Sequence, residues 1–234
     1  MTKSSQAHHA VAALVGLLPH SRGKTLLMNR VLGWSVHPTA RVAPCLFVRV
    51  NRVTLGADAS LLSLSSYRDV DALTLDANAV IGHWNWVSAA STLRSPVLDD
   101  RAGARPAQLR LGRHAAVTSR HYIDCSGGVD VGAFTVVAGV RSTILSHQVD
   151  LTRSEQDVRP VTIGDYCFIG SNAQVAPGAR IPDRCMIAMG SVVVGTLPDS
   201  DTLYAGVPAR AAKGIGGAFF SRTSGEADIP GAPE

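Results

Sequence analysis

His147 is the residue whose type and setting best suit acid–base chemistry. It stands in Thr143-Ile144-Leu145-Ser146-His147-Gln148, at the start of a polar stretch that runs to Pro160. An imidazole titrates near neutral pH, so one held on a rigid support can take a proton from a substrate and return it. The bland alternative is a histidine hydrogen-bonded at the base of a loop. A second imidazole lies close to a carboxylate in His121-Tyr122-Ile123-Asp124. Zinc is another chemistry that histidines support. His83, His114, His121 and His147 would supply three imidazoles to a hydrolytic or hydration centre. None of these pairs has the tight spacing of a single metal-binding turn, so no metal is expected.

These residues must be positioned by something, and the chain between 163 and 198 says what. Cut every six residues, its first positions are Ile163, Ile169, Val175, Ile181, Ile187 and Val193. Its fifth positions are Cys167, Ala173, Ala179, Cys185, Ser191 and Leu197, small in all but the last. Neither a helix nor an ordinary strand repeats every six residues. A coil with three flat faces does, turning one corner per step and stacking its aliphatics into a dry core. The fold class is therefore all-β, a parallel β-helix of hexapeptide repeats.

Upstream, a rung start of the form apolar-x-apolar-Gly/Asp recurs. It reads Val53-Thr54-Leu55-Gly56, Leu73-Thr74-Leu75-Asp76, Leu109-Arg110-Leu111-Gly112, Val129-Asp130-Val131-Gly132 and Val161-Thr162-Ile163-Gly164. Gly or Asp after the aliphatic suits a corner with unusual backbone angles. Two rungs are too long. The surplus falls in residues 92–108 and 148–160, polar segments holding Pro96, Pro106 and Pro160. Both read as loops that leave the coil at the same corner, one above the other with a rung between. Such excursions from a rigid scaffold commonly carry function. After Pro198 the repeat is expected to stop.

The register also picks out a polar column. Asn85, His121 and Arg141 fall on fifth positions of successive rungs, followed by Ala173. Either they form a self-satisfying buried ladder or they point at a site. In strict register His147 is itself a fifth position, facing inward, and a slip of one or two residues turns it outward. Trp84 and Trp86 flank Asn85, and Trp34 follows the leading helical segment. Outward-facing tryptophans stack on sugar rings, while inward ones fill a core.

Composition narrows the partners. The chain has 234 residues, with 22 Lys and Arg against 18 Asp and Glu. No dense basic run appears, so no nucleic acid is expected. Residues 9–18 are apolar but too short for a membrane span, and no small-residue cleavage site makes them a clear secretory signal. They read as the first of two short helices, residues 7–18 and 24–32. Leu27, Val31 and Leu32 of the second would share a face that caps the first rung. A membrane-surface role lacks a basic face on this reading. The four cysteines have no metal or disulfide spacing, which suits reduced core residues of a cytoplasmic protein. Three segments result: a helical segment 1–35, the β-helix 36–213 and a tail 214–234, with 223–234 expected to be disordered.

The stretch Ile163-Gly164-Asp165-Tyr166-Cys167-Phe168-Ile169-Gly170-Ser171, with Val175-Ala176-Pro177-Gly178-Ala179-Arg180-Ile181, Met189-Gly190-Ser191-Val192-Val193 and Ala205-Gly206-Val207-Pro208-Ala209-Arg210, resembles the left-handed β-helix acyltransferases. Within them it is most similar to sugar O-acetyltransferases of the maltose, galactoside, nodulation and exopolysaccharide-modifying types. The resemblance implies a left-handed coil and a homotrimer with sites between subunits. It implies acetyl-CoA, or another acyl-CoA, as acyl donor and a sugar or glycan hydroxyl as acceptor, with N-acylation of an amino sugar as the nearest variant. It makes His147 the general base and leaves Asp124, Asp150, Glu155 and Asp157 as candidates to orient it, with His121 as further support. It places the pantetheine groove at Gly170, Ser171, Met189, Gly190 and Ser191, and the CoA phosphates near Arg210 and Lys213. Asn85, Arg141, Trp84 and Trp86 are the candidates to touch the acceptor. A γ-carbonic-anhydrase-like zinc enzyme and a non-catalytic scaffold trimer are the rivals from other classes, because one fold serves many functions.

Overall fold

The computed structural model describes residues 3–90, 93 and 107–225. In it each six-residue unit becomes a short strand and a corner. The strands fall in rotation into three parallel sheets. Sheet I begins with Ser35–Val36 and Arg52–Leu55, sheet II with Arg41–Val42 and Ser60–Leu61, and sheet III with Leu46–Val48 and Ser66–Arg68. Up to Thr143–Ile144 each strand pairs with the strand three places on, so the chain circles the three sheets and climbs one rung per circuit.

The register is the one the apolar spacing predicts. Leu55, Leu75, Leu111, Val131, Ile163 and Ile181 lie side by side in sheet I. Ile81, Val117, Val137, Ile169 and Ile187 do so in sheet II, and Val87, Ile123, Ile144, Val175 and Val193 in sheet III. All are buried in one continuous core. Adjacent rungs sit about 4.8 Å apart, so each branched side chain packs on its counterparts above and below. The small fifth positions Ala59, Ala79, Ala115, Cys167 and Cys185 fill the corner between sheets I and II.

The glycines after the rung starts serve a different purpose from the one the sequence suggests. Gly56, Gly112, Gly132 and Gly164 are absent from the left-handed region. That region is occupied two residues later by Asp58, His114, Phe134 and Tyr166. The glycines are needed for close approach. A Cβ on Gly112 would stand 2.6 Å from Ala133 N, and one on Gly164 2.7 Å from Asp183 N.

The six-residue period lapses after Pro198, as expected, but the coil goes on. Thr196 bridges Arg180, and Thr202–Ala205 adds a parallel strand to sheet II, which Arg210–Gly214 then closes antiparallel. Two further expectations are corrected. The second excursion is no irregular loop. It is a hairpin, His147–Asp150 against Glu155–Val158. The helices run Lys3–Leu17 (α1) and Arg22–Arg30 (α2), packing on the first strands of sheets III and I. The face of α2 turned inward is Lys24, Thr25 and Met28, continued by Leu32, while Leu27 and Val31 point to solvent. The reason lies at Lys24, whose ammonium donates to the carbonyls of Gly16 and Leu18 (both 2.8 Å) and Ala43 (3.0 Å). It caps carbonyls at the end of α1, and that of Gly16 also accepts from Cys45 N–H at 2.9 Å. Ser21 fixes the start of α2 by accepting from Lys24 N–H at 3.1 Å.

Trp34 is buried edge-on to Phe47. Among the described residues no helix is long and apolar enough to cross a membrane. The first excursion, apart from Leu93, Ala107 and Gln108, lies outside the described residues, as do 226–234 of the tail. Residues 218–222 pack on the coil, Phe219 edge-on to Phe168 at 5.8 Å and Tyr166 donating its hydroxyl to Arg222 O at 3.2 Å.

If the stacked aliphatics carry the stability, Ile169→Ala should cost about 2–5 kcal/mol. Chemical unfolding followed by circular dichroism measures it. A loss under about 0.5 kcal/mol would place the stability elsewhere.

Candidate active site

Both excursions leave at the corner where sheet III passes to sheet I. One follows Trp86–Ser88 and the other follows Thr143–Ile144. The rung between them ends in Tyr122–Asp124 and turns through Cys125-Ser126-Gly127-Gly128. Ile123 pairs with Ile144, so Ser146 and His147 arrive over Cys125 and Ser126. Gly127 permits this closeness. A Cβ there would stand 2.7 Å from Ser146 O and 2.9 Å from Arg159 N.

The corner builds a carboxylate–imidazole pair. His147 Nδ1 lies 2.7 Å from Asp124 Oδ2. The carboxylate is buried, 3 % exposed, and the imidazole is 35 % exposed. Ser126 donates its N–H to Oδ1 at 2.9 Å and its hydroxyl to Oδ2 at 3.1 Å. Ser146 Oγ is 2.7 Å from the Asp124 carbonyl and 3.1 Å from Oδ1, and it accepts from Gly127 N–H at 2.9 Å. Asp124 is thus held by several donors, as a buried carboxylate must be. With Nδ1–H given to Asp124, the other ring nitrogen, Nε2, carries the free lone pair. It has no hydrogen-bond partner among the described residues. A buried carboxylate, an oriented imidazole and an open nitrogen form the arrangement of a general base.

The other three carboxylates are engaged elsewhere. Asp150 pairs with Arg153, and Glu155 lies 3.8 Å from that same guanidinium. Asp157 accepts from Gln148 at 3.1 Å and Arg159 at 2.7 Å. Ser126, Ser146 and Gly127 were not singled out by sequence reasoning. Their signal was available: rung counting places the Asp124 turn beneath Ser146-His147.

The polar column is a ladder that satisfies itself. Asn85 Oδ1 accepts from His121 N–H at 2.9 Å, and Asn85 Nδ2 donates to Thr118 O at 2.8 Å. His121 Nδ1 accepts from Ser142 N–H at 3.1 Å, and its Nε2 lies 2.9 Å from Thr118 Oγ1. Asn85 and His121 are buried and face no cleft. His121 does not reach Asp124 or His147 by any hydrogen bond among the described residues. Burial pushes its pKa down to about 4. Arg141 leaves the column. Val137 to Ile144 is seven residues where neighbouring rungs take six, so Arg141 turns outward with φ 64° and Ser142 takes the inner place. The same extra residue moves His147 off the fifth position.

Gly170, Ser171, Met189, Gly190 and Ser191 lie together at the next corner, between sheets II and III. Gly170 and Ser191 are buried, and Met189 is exposed. Ser191 Oγ accepts from Gly206 N–H at 3.1 Å. Arg210 and Lys213 are exposed on the last strand of sheet II. Trp86 and Tyr122 pair side by side on the outer face of sheet III, and Trp84 is exposed at its edge. The four histidines considered for zinc do not converge. His83 bonds Ser63 at 2.9 Å, and His114 stacks on Phe134 at 4.9 Å. No group of three or more metal-ligating side chains occurs among the described residues.

The family model for bacterial transferase hexapeptides (six repeats) matches residues 160–195. A putative acetyltransferase of Bacillus subtilis, YvoF, is 34 % identical over 71 residues, 30 % of this chain and 40 % of that protein. The galactoside O-acetyltransferase of Escherichia coli is 39 % identical over 56 residues, 24 % and 27 % of the two chains. The matches thus span less than half of these relatives' length. Among solved structures, the polysialic acid O-acetyltransferase OatWY superposes with a TM-score of 0.59 at 17 % identity, covering 79 % of this chain and 87 % of that one. A hexapeptide-repeat acetyltransferase of Vibrio cholerae in complex with acetyl coenzyme A gives 0.52 at 16 % identity, covering 93 % and 92 %. The chain is similar to hexapeptide-repeat acetyltransferases, and the solved structures share its fold.

The ladder generates a pH prediction. His121 has an ordinary pKa of 6.5 and a folded value of about 4. The unfolded chain therefore takes up the proton first. Its contribution is constant above pH 6.5 and is lost as pH falls from 6.5 to 4, by up to about 3 kcal/mol. Urea midpoints at pH 7, 5.5 and 4 should fall, and the fall should shrink in His121→Asn. An unchanged slope in that variant would show that His121 does not titrate on unfolding.

Proposed function

We propose that this protein transfers an acyl group, most simply acetyl, from acyl-CoA to a hydroxyl of a sugar or glycan. The single observation that carries the reading is the 2.7 Å contact from His147 Nδ1 to the buried Asp124 carboxylate. It sits at the foot of a hairpin in a chain whose relatives include an O-acetyltransferase. His147 Nε2 accepts the proton of the acceptor hydroxyl while that oxygen attacks the thioester carbonyl carbon. The carbon–sulfur bond of the tetrahedral intermediate then breaks, and the proton passes from Nε2 to the departing thiolate. A backbone N–H stabilises the oxyanion. Asp124 holds the imidazole in the right tautomer and balances the imidazolium that forms. Much of the rate comes from holding two substrates together.

The cysteines take no part. All four are buried and free, and burial holds the Cys125 thiol well above the ordinary range. A thiol so held is a poor nucleophile. In this reading acyl-CoA lies along Gly170, Ser171, Met189 and Gly190, with its phosphates near Arg210 and Lys213, and Trp86 lines the acceptor's approach. These turns and His147 occupy different corners of one coil, so the reading includes a homotrimer in which a neighbour's corner completes the site. The coil is left-handed, residues 36–213 are the acyltransferase domain and residues 1–35 are its cap. An amine acceptor would use the same base, and a screen over sugars and amino sugars separates O- from N-transfer.

Thiol release from acetyl-CoA with such acceptors measures turnover, and calorimetry on metal-stripped protein measures CoA binding. His147→Ala should lose about 10²–10⁴-fold in turnover, and Asp124→Asn should also fall, with CoA affinity kept. Unchanged turnover in His147→Ala would remove the base assignment. Absence of CoA binding by the parent protein would remove the acyltransferase reading.

A further inference from the structure

Helices α1 and α2 are apolar on more faces than the coil covers. Ala12, Val15, Met28 and Leu32 point inward and are buried. On the opposite side Leu14 is 69 % exposed, Leu17 55 %, Leu26 59 % and Val31 56 %, and Leu18 and Leu27 are also exposed. Leu14, Leu17 and Leu18 share one side of α1 by helical spacing, and Leu27 and Val31 share one side of α2. A helix apolar all round is normally buried all round. Grouped exposed leucines of this kind mark an interaction surface.

The charge around them is one-sided. Residues 1–57 contain seven Lys and Arg and no Asp or Glu, the first carboxylate side chain being Asp58. The rest of the chain holds 15 basic residues against 18 acidic ones. Lys24 is buried in its cage of carbonyls, and Arg49 is paired with Asp69. Arg22 and Arg30 on α2 and Arg41 on the first rung are exposed. Within residues 7–18 and 24–32 the sequence shows no basic face, because Arg22 and Arg41 lie outside both segments. The structure brings it from α2 and the coil. The Lys24 bonds and the Ser21 cap hold both helices against the first rung, so the face is presented in a fixed orientation.

We propose that α1 and α2 dock this protein on an anionic bilayer surface. The exposed leucines enter the boundary between head groups and acyl chains, and Arg22, Arg30 and Arg41 meet lipid phosphates. Such helices lie on the membrane, and neither is long and apolar enough to cross it. A second copy fits this face less well. Placing the face on itself would bring arginines together with no carboxylate in the segment to pair them. The proposal does not depend on the acyltransferase reading.

The test uses the full chain and sedimentation with lipid vesicles. One set is pure phosphatidylcholine and the other contains about one third phosphatidylglycerol. Binding should favour the anionic set by roughly tenfold or more and weaken in high salt. Leu17→Asp with Leu27→Asp, and separately Arg22→Glu with Arg30→Glu, should each lose roughly tenfold or more. All four positions are exposed, and circular dichroism checks that the variants fold. No sedimentation with anionic vesicles would overturn the proposal, as would variants that bind like the parent. A parent that ignores vesicles but loses a self-association when the leucines are replaced would assign the face to a second copy.

Discussion

The structure depends on one constraint: each aliphatic side chain must lie directly over its counterpart in the next rung. Parallel pairing in strict register enforces this, from Leu55 over Leu75 to Ile163 over Ile181. The core is one side chain wide on each face, so no rung can slide without opening a gap in all three sheets. Corners must stay thin as well. Where Gly112 and Gly164 sit, the backbone of the next rung leaves no room for a Cβ. Extra residues can therefore go only outward, at corners, and leave the stack above and below them intact.

The candidate site lies where two such departures meet. The added residue between Val137 and Ile144 is absorbed at one corner, where Gly139 and Arg141 both take left-handed angles. The hairpin leaves at the next. His147 is the first residue of the hairpin and the first released from the repeat. Below it the unbroken Asp124 turn supplies a carboxylate that the coil itself fixes. The imidazole is thus tied to the scaffold at one side and to the excursion at the other. Its partner is more deeply held than it is, since Asp124 is buried and His147 is partly open.

This division explains what was legible in the sequence. The six-residue period, the core, the rung starts and the two excursions follow from apolar spacing alone, because burial repeats wherever the coil does. His147 stood out as an imidazole at the foot of an excursion. Its partner, Asp124, was one of four candidates that sequence distance alone does not rank. Asp150, Glu155 and Asp157 are nearer in sequence, but they lie on the hairpin among Arg153 and Arg159, which pair with them. Only counting rungs through the seven-residue corner brings Asp124 beneath His147. The inward face of α2 was misread for a related reason. Hydrophobic spacing favours Leu27 and Val31, but the carbonyls at the end of α1 and Ala43 require a cation, and Lys24 answers them at the cost of desolvation, which lowers its pKa to about 8.

Buried polar groups in a solenoid weaken it unless every one is satisfied. Sheet III is bordered by two such systems. At one edge Ser65, Asn85, His121 and Ser142 form a closed chain of hydrogen bonds. At the other, Asp124, Ser126 and Ser146 do the same beneath His147. Between them the outer face carries Trp86 and Tyr122, the latter 3.3 Å from Ser88 Oγ. A sheet pinned along both edges makes a rigid floor. The hairpin stands out from this floor, its tip residue Leu151 being 89 % exposed. Displacing His147 would require breaking its bond to Asp124, and the cost of leaving that buried carboxylate short of a donor keeps the imidazole in place.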